Sequence, residues 1–117
     1  MNKKNPVHKK NAKYKHLERY YSILDEAKAI HNRKNHDYAG DEDALFNLRM
    51  CEKMGVPCFD GTVVRLTDKF CRLMNFCKAR VLRVVDEGIE DTLFDVINYA
   101  AFAIEFYREE TAKKRRR

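Results

Sequence analysis

Glycine is scarce, with four in 117 residues, and no segment alternates apolar and polar positions between turn signals, so nothing argues for a β-sheet. No run approaches the roughly 18 consecutive apolar residues of a membrane span, and the start of the chain lacks the apolar core of a signal peptide. A soluble, intracellular protein is the expectation. Cys51, Cys58, Cys71 and Cys77 lack CxxC spacing and a nearby histidine pair, which argues against zinc; Cys71 and Cys77 sit among apolar residues and read as small core hydrophobes. The histidines, at 8, 16, 31 and 36, are dispersed and none is assigned to metal or catalysis. Phosphate-loop, GxSxG and GxGxxG signatures are absent, as is any internal repeat.

Acidic residues are missing from both ends of the chain. Residues 1 to 16 hold six lysines and residues 113 to 117 read Lys-Lys-Arg-Arg-Arg, so the ends carry 11 of the 24 basic residues. The body then has 13 basic residues against all 18 acids, and the overall charge of +6 belongs to the ends. Flexible basic tails over 1–15 and 111–117, flanking one domain over 16–110, are expected, able to add non-specific attraction to nucleic acid or to an acidic partner. The body shows no basic stripe with interleaved aromatics, so specific nucleic-acid recognition is not expected of it.

What is present is helical periodicity. Leu17, Tyr20, Leu24, Ala27 and His31 recur at helical spacing and predict a helix over about 15–34. A loop of Asn, Asp and Gly follows, from His31 to Asp41. Asp41 is placed to cap a second helix whose apolar face is Ala44, Leu45, Leu48, Cys51 and Met54, ending at Gly55 and Pro57. Asp60 or Thr62 is placed to cap a third, with the stripe Val63, Leu66, Phe70, Leu73, Cys77 and Val81. The fourth follows Gly88. The fold class is therefore all-α, a compact bundle of about four helices with short loops.

The fourth helix poses the functional question. From Leu93 to Tyr107 only Asp95, Asn98 and Glu105 are polar, which predicts a helix buried on nearly every side, and this in turn predicts a homo-oligomer. Asp91, Asp95, Asn98 and Phe102 share one row. Either Asp91 caps or lies exposed in the first turn, where its charge suits the helix dipole, while Asp95 and Asn98 satisfy Lys, Arg or backbone groups of a neighbouring helix, or the carboxylates hold Mg²⁺ or orient a phosphorylated ligand. Asp68 and Arg72, one turn apart on the third helix, are candidates to face them.

The order of motifs carries a resemblance. Lys34-x-x-Asp37-Tyr38 with Gly40, then Asn47, then Asp68-Lys69-x-x-Arg72-Leu73, then Glu90-Asp91-Thr92-x-x-Asp95-x-x-Asn98-Tyr99, resembles the phage and bacterial family called nucleotide modification associated domain one. That family is similar in style to the all-α nucleotide pyrophosphatases typified by MazG and dimeric dUTPase. The resemblance implies a protein of nucleotide metabolism in the cytoplasm, the host's if the chain is a phage's, acting on (d)NTPs as a Mg²⁺-dependent pyrophosphohydrolase. The alternatives are a non-catalytic nucleotide binder serving sequestration or base modification, and an accessory protein acting through its basic tails.

On the first of these, Asp91, Asp95 and Glu90 would be catalytic and Asp68, Asp91 and Asp95 would ligate Mg²⁺, which neutralises the triphosphate and activates water. Lys34, Lys69 and Arg72 would neutralise phosphate oxygens, Tyr38 would stack on the base, Asn98 would read its edge, and Asp37 would belong to the same substrate loop. The chain departs from the MazG pattern of facing acid pairs, because its third helix offers Asp68 with Lys69 and Arg72. It also inserts Ala39 into the Asp-Tyr-Gly motif and has Phe46-Asn47 in place of Asn-Phe.

Overall fold

The computed structural model describes residues 12–38, 45–80 and 88–116. Its helices are α1 (Ala12–Tyr38), the single turn α2 (Phe46–Arg49) continued by a 3₁₀ turn (Met50–Met54), α3 (Cys58–Ala79) and α4 (Ile89–Arg115). No strand occurs among the described residues, and the all-α expectation holds. Nor is any helix among them long and apolar enough to cross a membrane.

Several boundaries differ from those the periodicity suggests. α1 runs on through Tyr38 where a loop is expected from His31, because the tertiary contacts of His31 and Lys34 override the low helix propensity of Asn32, Asn35 and Asp37. The helices also reach into the basic ends, α1 from Ala12 and α4 to Arg115, whose last turn of Lys113, Lys114 and Arg115 suits the negative end of the helix dipole. Asp41, expected as a cap, lies outside the described residues. The second helix is one α turn and one 3₁₀ turn, closed by Gly55 at φ 82°, with its N–H bonded to Glu52 O at 3.0 Å.

α3 is entered from Pro57 and not from Asp60 or Thr62. Asp60 sits in its first turn, and Thr62, fully buried, donates its hydroxyl to Cys58 O at 2.8 Å inside the helix. The inward row is shifted from the expected stripe: Thr62, Leu66, Lys69 and Leu73 are shielded, while Val63, Phe70 and Cys77 are exposed. Cys71 is exposed as well, so neither it nor Cys77 is a core residue. The reason is that α3 turns its mixed face, with Lys69 and Arg72, to the polar row of α4.

α3 and α4 form an antiparallel hairpin, their contacts running in reverse order from Arg72–Thr92 through Lys69–Asp95 to Phe59–Tyr107. The core gathers at the far end of that hairpin from Asp95, where Leu45, Leu48, Cys58, Phe102 and Phe106 pack together with Phe59 and Tyr99 against them. Arg49 lies over the Phe106 ring at 5.0 Å and forks onto Glu109 at 2.9 and 2.8 Å, tying α2 to α4. α1 meets α4 through its second half, where Ala27 is buried and the His31 ring lies 4.7 Å from that of Phe102. α4 is not covered all round: Leu93, Ile104 and Tyr107 remain exposed.

Candidate functional site

Three helices bring their polar groups to one place. Asp95, from the inward row of α4, accepts from Lys34 of α1 on one carboxylate oxygen and from Lys69 of α3 on the other, each at 3.0 Å. One turn earlier on α4, Thr92 is buried and its hydroxyl accepts the Nε–H of Arg72 at 3.3 Å. One turn later, Asn98 donates its amide to Ala27 O of α1 at 3.0 Å, and the Tyr99 ring lies 5.8 Å below the Lys69 ammonium. Asp95 and Asn98 thus face neighbouring helices, while Asp91, in the first turn of α4 and in the same row, is exposed.

The electrostatics are set by the two ammonium groups. Burial works to raise the Asp95 pKa, and the hydrogen bonds and positive charges of Lys34 and Lys69 overcome it, holding the carboxyl below its ordinary range. Asp95 is therefore ionised at neutral pH. Around its carboxylate cations outnumber anions two to one, and Lys34 is half exposed, so the cluster is open to solvent on the α1 side. Burial together with the Glu52 side chain pushes the Cys58 thiol up to about 12, which disfavours its nucleophilic thiolate form.

The expected site residues divide into three groups. Lys34, Lys69, Arg72, Asp95 and Asn98 come together, although Asn98 straps α1 to α4 instead of pointing to an open base site. Asp68, Glu90 and Asp91 are exposed. The side chains of Asp37 and Tyr38 lie outside the described residues. No group of three His, Cys, Asp or Glu side chains suited to a metal is found among the described residues. With both Asp95 oxygens on ammonium groups, this donor set fits an oxyanion better than Mg²⁺.

Thr92 stands in the motif that carries the resemblance, but its sequence context gives it no role; the structure makes it the acceptor for Arg72. Asn35 falls in the segment expected as a loop and lies instead inside α1; its Oδ1 is buried without a hydrogen-bond partner among the described residues, and a buried acceptor of that kind calls for a donor.

The comparisons with known proteins add one finding. Residues 34–105, from Lys34 through Glu105 and so including the whole cluster, match the family model described as nucleotide modification associated domain 1. No curated protein and no solved structure matches the chain.

Proposed function

The chain belongs to the nucleotide modification associated domain 1 family, and from that premise we propose that it binds the phosphate of a nucleoside phosphate where α1, α3 and α4 meet. The observation that carries this is the convergence of Lys34 and Lys69 on the single carboxylate of Asp95. Lys34 is the group free to move: half exposed, it can turn to a phosphate oxygen while Asp95 stays paired with Lys69. Asp95 is then a positioning residue, holding two ammonium groups in place before the ligand arrives, and Arg72 is set beside them by Thr92. The Tyr99 ring under Lys69 supports the same ammonium from the other side.

A pyrophosphohydrolase of the MazG type asks for carboxylates arranged round a dication. The described residues supply cations round a carboxylate, which favours holding an oxyanion over holding Mg²⁺. Binding in the service of nucleotide modification is the function this arrangement supports best.

The test is thermal unfolding across mono-, di- and triphosphates of each nucleoside, with and without Mg²⁺. A phosphate-bearing nucleotide should raise Tm in the absence of Mg²⁺, and Lys34→Ala should weaken its binding about tenfold, the worth of one charge-assisted hydrogen bond. A Tm unmoved by the whole panel would overturn the reading. Release of pyrophosphate from a dNTP only when Mg²⁺ is present would assign hydrolysis in its place.

A further inference from the structure

α4 carries a second ordered face that the cluster does not use. Leu93, Ile97, Ala100, Ile104, Tyr107 and Thr111 are spaced alternately four and three apart, the pattern of a seam between two helices. At 100° per residue all six lie within about 40° of the direction opposite Phe102. Phe102 is buried against the rest of the chain, whereas Leu93 is 44%, Ile104 51% and Tyr107 58% exposed, and Ala100 is exposed between them. Ile97 and Thr111 are partly shielded, and an apolar row with Leu93, Ala100, Ile104 and Tyr107 open to water is unusual for a protein that works alone.

The seam has an internal symmetry that says what covers it. Its members stand in pairs equally far from Phe102 along the chain: Leu93 and Thr111, Ile97 and Tyr107, Ala100 and Ile104. Two copies of α4 packed antiparallel about an axis level with Phe102 would place each of these residues beside the other member of its pair, with Ala100 opposite the larger Ile104.

The flanks are complementary in the same register. Near the start of α4 a groove of about 370 Å³ has a floor of Ile23, Leu93, Phe94 and Ile97 and carries the carboxylates of Glu26 and Glu90. Near its end a groove of about 280 Å³ is lined by Tyr107 and Thr111 and carries the guanidinium groups of Arg108 and Arg115. Helical geometry puts Glu90, Arg108 and Arg115 on one flank of the seam, and an antiparallel pair brings like flanks together. Glu90 then comes level with the partner's Arg115, and the acidic groove of each copy receives the basic end of the other.

We propose that the seam from Leu93 to Thr111 is the self-association surface of this protein, and that two copies pair through antiparallel α4 helices with Glu90 and Arg115 fixing the register. This takes Glu90 out of the nucleotide cluster and gives it to subunit pairing. It does not depend on what the cluster binds.

Sedimentation of the full chain at micromolar concentration should show a dimer, and Ile104→Lys should make it monomeric with unchanged helicity by circular dichroism. Adding Ala100→Glu to Ile104→Lys should restore the dimer, because only antiparallel pairing brings those two positions together between copies. Should Ile104→Lys fail to fold, the seam's ends provide a second route: Glu90→Arg is expected to raise the dissociation constant about tenfold, and adding Arg115→Glu to recover it. A monomeric wild type, a dimer that survives folded Ile104→Lys, or a Glu90→Arg defect that Arg115→Glu leaves uncorrected would overturn the proposal.

Discussion

Through one carboxylate Asp95 joins α1 and α3 to α4. Removing its charge leaves two ammonium groups beside a weaker acceptor, and Asp95→Asn is expected to cost about 2 kcal/mol of stability at neutral pH. The pH dependence has a definite sign. Because the folded protein holds the Asp95 pKa down, the stabilisation is complete above the ordinary aspartate value of about 4 and is lost as pH falls through the lower folded value. Urea unfolding of wild type and Asp95→Asn should therefore show a gap at neutral pH that closes in acid. A gap that stays constant to low pH would mean that the lysines do not act through this carboxylate's charge.

At the scale of elements, the approach of the 3₁₀ turn to α3 rests on one missing side chain. A Cβ on Gly61 would stand 2.7 Å from Cys51 Sγ, and that sulfur is held in place by Leu48 O at 3.3 Å. Gly61→Ala should thus push the turn away from α3 and cost about 1–2 kcal/mol, the usual range for a small overpacking. The same substitution made together with Cys51→Ala removes the obstructing atom, so alanine's better helix propensity should count and Gly61→Ala should then stabilise by up to about 1 kcal/mol relative to Cys51→Ala alone. Thermal melts of the four proteins test this, and an equal effect of Gly61→Ala in both backgrounds would contradict the close contact. The same junction explains why α2 and the 3₁₀ turn are short: Leu45 and Leu48 are already anchored with Phe102 and Phe106, and Gly55 turns the chain at once toward α3.

Over the whole molecule the long helices are not equally supported. α4 is gripped by α3 along much of its length, whereas α1 meets α4 through its second half, at Ala27, His31 and Lys34 and beside the groove at Ile23 and Glu26, and most side chains before Ile23 are exposed. Hydrogen exchange should accordingly be much faster in residues 12–20 than in residues 94–106. Asn98→Ala, which cuts the amide bond to Ala27 O, should speed exchange along α1 and leave the α3–α4 hairpin little changed. Uniform protection of α1 and α4 in wild type would show that α1 has support beyond these contacts.

Helical periodicity alone determined the all-α class and the row Asp91, Asp95, Asn98 on one face of α4, because a repeat of 3.6 residues settles which side chains share a side, while the candidacy of Lys34, Lys69 and Arg72 came from the order of motifs. It could not say what that side would meet. That Asp95 is clasped by Lys34 and Lys69, that Arg72 goes to Thr92, and that Asn98 straps α1 depends on residues far apart in the chain, and only the tertiary structure decided it. The same holds for α4, whose apolar composition suggested burial on every side. Its own chain covers the Phe102 face and leaves the Leu93 to Thr111 face open, since α1 and α3 both pack against the polar row where their lysines find a counter-charge.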